Sequence, residues 1–208
     1  MKRTLFTLLL LLALAVPSAL AGIVGVPVGP AAPPATLGSF SLTPWGPDGL
    51  SDFVDITSIT GGPGGLGLVF GALVSKRTIG DGWATWSNGY TGSVYYSNGA
   101  TSLSMALTTP VDAFLFYAEP NPFSVFDIEA IAQDGTTLSM AVDGSSGAAG
   151  FGFYGDGISK IASIVVTSDV DFAVGEFYST AGTGVPEPSS LLLLGFGIAG
   201  LAFWRRKK

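Results

Sequence analysis

Between Gly22 and Gly184 lie 14 carboxylic acids, most of the aromatic residues and not one histidine or cysteine. That inventory removes imidazole bases, thiol nucleophiles, disulfides and the usual zinc and haem ligands together. Acid–base chemistry would fall to carboxyls, and Glu119, Glu129, Glu176 and the aspartates could supply the two that glycoside hydrolysis needs, ~5–10 Å apart. Nothing in their spacing marks out such a pair, and the serines have no histidine base and no Ser-x-x-Lys arrangement to replace it. The expectation is a protein that is not an enzyme.

Binding chemistry has better candidates. Trp45, Trp83, Trp86, Tyr90, Tyr95 and Tyr96 could stack against sugar rings, and the best cluster is the interval from Trp83 to Tyr96, with Asn88 and Asn98 in turns as hydroxyl partners. Trp83, Trp86 and Tyr90 are the candidate glycan-binding residues. Against that stands ordinary packing, which should take at least half of these rings into the core. Calcium could be held by Asp48, Asp52 and Asp55, or by Asp81 and Asp156, with loop carbonyls completing the shell. No EF-hand or nonapeptide spacing is present, so turn formation and solubility are the preferred roles for these aspartates, and no cofactor or other metal is expected. Gly61-Gly62-Pro63-Gly64-Gly65 lacks the Lys-Ser/Thr of a phosphate loop and reads as a flexible turn, and Lys76-Arg77 reads as a solvated strand end.

The elements that must position these residues are strands. Period-two alternation with β-branched and aromatic residues runs through Phe53–Ile59, Leu66–Val74, Ser93–Tyr96, Ser102–Leu107, Ala113–Tyr117, Ser124–Ala132, Thr137–Val142, Gly150–Tyr154, Ile161–Thr167 and Phe172–Phe177. Asn88-Gly89, Asn98-Gly99, Asp134-Gly135 and Asp143-Gly144 punctuate them with the positive φ that hairpin turns require. About ten short strands joined this way predict an all-β fold, an antiparallel β-sandwich or jelly roll, over residues 37–180. Residues 22–36, rich in Pro, Gly and Ala, are expected to run extended ahead of it. Only Lys76, Arg77 and Lys160 offset the 14 acids, leaving this region near −11, a charge that repels nucleic acid and anionic membrane surfaces.

Both ends are address labels. Lys2 and Arg3 precede an apolar run from Leu5 to Val16, Pro17 breaks it, and Ala19 and Ala21 frame a signal-peptidase site with cleavage after Ala21. At the other end, residues 181–208 carry Pro186-Glu187-Pro188, an uncharged stretch from Leu191 to Trp204 and the basic cluster Arg205-Arg206-Lys207-Lys208. The prolines hold an exposed, extended backbone of the kind a processing enzyme needs. Residues 189–204 are expected to form a short hydrophobic helix, thin for a ~30 Å core but able to hold the chain in the membrane, with the basic end on the cytoplasmic side.

Val185–Lys208 resembles the PEP-CTERM sorting signal, with its Pro-Glu-Pro, short Leu/Gly-rich segment and basic terminus. That resemblance implies recognition of Pro186, Glu187 and Pro188 by an exosortase, a membrane protease of Gram-negative bacteria that often make exopolysaccharide, with the tail removed nearby. Ala113–Pro122 and Val170–Phe177 are also similar to ectodomains found on such proteins. The expectation is an exported envelope or matrix protein, held at the inner membrane and then delivered to the surface, its β-sandwich structural or adhesive. The alternative is a module that binds the exopolysaccharide.

Overall fold

The computed structural model describes residues 22–182. The signal peptide with Ala19 and Ala21, the Pro186-Glu187-Pro188 motif, the membrane segment 189–204 and the basic end therefore lie outside the described residues.

The strands are β1 Ile23–Gly29, β2 Thr36–Leu37, β3 Phe40–Ser41, β4 Thr43–Pro44, β5 Asp55–Gly62, β6 Leu66–Ile79, β7 Gly82–Trp83 and β8 Ser93–Tyr96. They continue as β9 Ser102–Val111, β10 Ala113–Pro120, β11 Val125–Ala132, β12 Thr137–Asp143, β13 Ala149–Gly155, β14 Ile161–Ser168 and β15 Phe172–Ser179. The only helical turn among the described residues is the 3-10 turn Pro63–Gly65. The main sheet runs β1-β13-β10-β15-β8-β6-β9-β14-β11-β12, with β4 paired off that path to β15, and β5 and β7 to β6. All its ladders are antiparallel except the two-residue β6–β7 pairing.

This one sheet folds over itself into two layers. β6 makes the corner: Leu68–Phe70 pair with β9, whereas Ser75–Arg77 pair with β8. Its register against β5 jumps from Val69 to Val74 while β5 advances only from Ser58 to Ile56, an expanded bulge that turns the strand between layers. Phe114, Phe116, Phe151, Phe153 and Phe172 from one layer meet Leu103, Met105, Ile128, Ile164 and Val166 from the other in the principal core. Phe116 stacks on Phe151 at 5.5 Å and Phe114 on Phe177 at 6.0 Å, pairs worth ~0.5–1.5 kcal/mol each beyond their burial.

The far ends of the sheet also approach one another. Asp134, in the β11–β12 turn, accepts the Ile23 N–H at 2.8 Å, and Thr136 Oγ1 donates to the Ile23 carbonyl at 3.0 Å. The sandwich is thus nearly a closed barrel, sealed at β1 by side chains instead of a ladder.

Three expectations are corrected. The fold begins at Ile23 and not near Leu37: Val24 and Val26 supply β character, and β1 pairs with β13 from Ile23↔Gly155 to Gly29↔Gly150, with one irregularity between Pro27 and Gly29. Pro27 is tolerated there because β1 is an edge strand. Second, of the four turn dipeptides only Asp134-Gly135 joins a hairpin, β11–β12. Asn88 and Asn98 do take positive φ, 49° and 54°, yet β8 and β9 both pair with β6 and not with each other. A dipeptide specifies local φ and not where the next strand docks. Third, Lys76 is buried, with Nζ 2.5 Å from Asp48 and 2.5 Å from the Leu50 carbonyl.

Candidate functional site

β10 is buried along its whole length, a sign that both its faces are covered. Phe114, Phe116 and Ala118 face the principal core, while Ala113, Leu115 and Tyr117 face a second apolar cluster on the outer side. Glu119 continues that outer row by the period of two, fully buried. Its charge would be costly there without partners.

Glu176 reaches the same outer face by a different device. Between the pairs Tyr117↔Gly175 and Leu115↔Tyr178, β15 spends two residues, Glu176 and Phe177, against the single Phe116. Glu176 takes φ 51°, the left-handed region that non-glycine residues seldom enter. The extra residue resets the alternation, so that Val174 and Phe177, three apart, both enter the principal core. Such bulges commonly re-aim a side chain beside a functional site.

The segment following β7 lies across this face and grips both glutamates. Trp83 Nε1 donates to Glu119 Oε2 at 2.7 Å, and Thr85 Oγ1 lies 2.5 Å from Glu119 Oε1. Trp86 Nε1 donates to Glu176 Oε2 at 2.9 Å, and Asn88 Nδ2 donates to the same oxygen at 3.2 Å. Tyr90 completes the cover, its hydroxyl donating to the Ser93 carbonyl at 3.0 Å. Gly147 permits this docking: its φ is 104°, and a Cβ there would lie 2.6 Å from the Trp86 carbonyl carbon.

The two carboxyls differ in how they are satisfied. Burial pushes Glu119 up to about 7, against the lowering effect of the Thr85 and Trp83 hydrogen bonds. Thr85 Oγ1 also lies 3.1 Å from the Gly144 carbonyl, and its single proton can serve only one acceptor. With Glu119 ionised, Thr85 donates to the carboxylate. With Glu119 protonated, the carboxyl donates to Thr85 and Thr85 donates to Gly144. Burial likewise raises Glu176, opposed by Asn88 and Trp86. A third buried acid, Asp48, is held below the usual carboxylate range: burial would raise it, but Lys76, the Leu50 N–H and the Tyr95 hydroxyl outweigh burial.

Two cavities open on these residues. The first, of about 390 Å³, is bounded by Gly80, Trp83, Thr85, Glu119, Asn121 and Phe123, the last 66% exposed. The second, of about 260 Å³, sits beside the edge of β15 where its pairing with β8 at 173–175 gives way to that with β4 at 178–179. Trp45, Asp48, Tyr90, Tyr95, Glu176 and Tyr178 line it.

Trp83, Trp86 and Tyr90 are thus brought together, and their indole N–H groups are spent inward on glutamates. Trp83 is only 8% exposed, while Trp86 and Tyr90 are half-buried. Trp45 lines the second cavity, its Nε1 donating to Ser179 Oγ at 3.0 Å, and Tyr96 donates to Asp171. Among the calcium candidates, Asp52 accepts from Thr78 at 3.0 Å and Asp55 from Asn98 at 3.1 Å. No group of three or more acidic side chains converges among the described residues. Thr85, Asn121 and Phe123 were not singled out from the sequence. The signal that could have found the site is a lone glutamate inside an apolar strand, in Leu115-Phe116-Tyr117-Ala118-Glu119 and again in Val174-Gly175-Glu176-Phe177, since a buried acid demands dedicated donors.

Residues 184–207 match the PEP-CTERM protein-sorting motif, and the chain carries that motif at its C-terminal end. The motif implies export across the membrane to the cell surface and processing by an exosortase. No curated protein matches the chain. Among solved structures, two single-residue variants of CBM29-2, from work on ligand recognition by family 29 carbohydrate-binding modules, align with 8% identity. They cover 80% of this chain and 99% and 100% of their own, each with a TM-score of 0.25.

Proposed function

We propose that this protein is a non-enzymatic component of the cell envelope or extracellular matrix of a Gram-negative bacterium, whose all-β domain presents a structural or adhesive surface. The observation that carries this reading is the sorting motif at residues 184–207, joined to an exported, acidic domain with its polar groups engaged in holding the fold. Signal peptidase acts after Ala21, an exosortase acts near Pro186-Glu187-Pro188, and the span 189–204 with Arg205–Lys208 retains the chain until then.

Intact mass of the protein from membrane and extracellular fractions of its host tests this. A product beginning at Gly22 and ending near Pro188, lost when Pro186 and Pro188 are both changed to Ala, supports processing at the tail. A membrane-bound species ending at Lys208 would reduce the tail to an anchor.

A second reading, a module for exopolysaccharide, is favoured by the first cavity, where the exposed Phe123 ring stands beside Asn121, Thr85 and Glu119, apolar and hydrogen-bonding surface together. Saturable polysaccharide binding by the exported protein, lost in Phe123→Ala, would support it. Retention of binding in that variant would move the contact elsewhere.

A further inference from the structure

The second cavity differs from the first in what it leaves unanswered. Glu176 is 4% exposed and lines this cavity. Its Oε2 takes both the Trp86 and Asn88 hydrogen bonds, and its Oε1 receives none from the described residues. No buried side-chain oxygen among the described residues lacks a partner, so Oε1 keeps its contact with solvent through the cavity. The other acid at this cavity, Asp48, is fully answered by Lys76 at 2.5 Å and Tyr95 at 2.7 Å.

Among the described residues only Lys76 comes near this cavity, at its edge and spent on Asp48, and none pairs with Glu176. Lys76 pairs with Asp48, Lys160 with Asp112 at 2.7 Å, and Arg77 lies over the Phe53 ring at 4.6 Å. Around Glu176 the walls are instead aromatic: Trp45, Tyr90, Tyr95, Phe177 and Tyr178. Aromatic faces attract a cation through their quadrupoles, and an adjacent carboxylate adds a full charge. The surrounding domain, near −11, concentrates cations at its surface.

From this we infer that the cavity between β4 and β8 binds an organic ammonium head group, with Glu176 Oε1 as its counter-charge and the surrounding rings as its cage. The volume of about 260 Å³ falls below the ~300–1,000 Å³ of pockets that enclose a whole drug-sized ligand, so the cavity takes a head group whose remaining parts stay outside. The bulge at Glu176 then has a purpose beyond packing: it resets the alternation of β15 so that Glu176 lines the cavity beside the junction of β8 and β4. This inference is independent of the polysaccharide reading, which concerns the other cavity.

The test titrates the purified full chain, in a non-ionic detergent, with choline and with 3,3-dimethylbutanol, its uncharged isostere, followed by tryptophan fluorescence and calorimetry. Choline should saturate with a dissociation constant of order 1 mM, as a few cation–aromatic contacts allow, and the isostere should bind at least tenfold more weakly. Glu176→Gln, which places an N–H₂ group where Oε1 stood, should weaken choline at least tenfold while leaving the isostere unchanged. Absence of saturable choline binding to the unaltered chain, or equal binding of the two probes, overturns the inference without recourse to any variant.

Discussion

Glu119 is where a single proton matters most. Its carboxyl has an ordinary value of 4.5 and is pushed up to about 7 by burial, so the folded state binds this proton more tightly than the unfolded chain does. The stabilisation is therefore fully present below about 4.5 and is lost as pH rises through about 7. Contact with the cavity keeps the carboxyl from complete desolvation, and the expected loss is roughly 2 kcal/mol between pH 5 and pH 8. Urea midpoints at those two pH values should show the slope attributable to this group, and Glu119→Gln should abolish it by keeping the site neutral throughout. Trp83→Phe keeps a smaller aromatic ring in place and removes the donor to Glu119 Oε2, and should cost about 1–3 kcal/mol, more at pH 8 than at pH 5. Equal costs at both pH values would mean that Trp83 contributes only its packing.

At the scale of elements, the segment from Trp83 to Tyr90 behaves as a cover because two backbone features receive it: the bulge at Glu176 and the tight passage at Gly147. Gly147→Ala places a Cβ 2.6 Å from the Trp86 carbonyl carbon at a φ of 104° that alanine seldom adopts. It should destabilise by about 1–3 kcal/mol, and near-UV circular dichroism should report loosening of Trp86. An unchanged spectrum would detach Gly147 from the cover. Strand positions were readable because β9, with burial alternating from Leu103 to Leu107, and its neighbours obey the period that the side chains announce. Ser93–Tyr96 is found where the alternation placed it. β1 was hidden because Pro27 and the glycines around it obey edge-strand rules that resemble those of a linker. The site was half legible. The Trp83, Trp86 and Tyr90 cluster is visible as composition, but the inward use of its indoles depends on Glu119 and Glu176, 36 and 90 residues further along, and that juxtaposition belongs to the register of β10 and β15.

For the whole molecule the decisive joint is where the sheet nearly closes. β1 covers the edge of β13, whose residues 149–155 read Ala-Gly-Phe-Gly-Phe-Tyr-Gly, a smooth, largely uncharged edge of the kind that pairs with another chain when exposed. Asp134 and Thr136 hold β1 from the opposite end of the sheet, so a single strand seals both margins. Its first residue, Ile23, lies one residue beyond Gly22, where the mature chain begins if cleavage follows Ala21. Deleting residues 22–29 should therefore do more than shorten the protein: it should expose β13 and produce dimers or larger species by light scattering, at concentrations where the intact chain is monodisperse. Asp134→Ala, which keeps β1 but removes the acceptor for the Ile23 N–H, should lower the denaturation midpoint modestly without association. If the deletion stays monodisperse, β13 does not need its cover and β1 is an ornament of the edge; if Asp134→Ala also associates, the seam and not the strand protects the sheet.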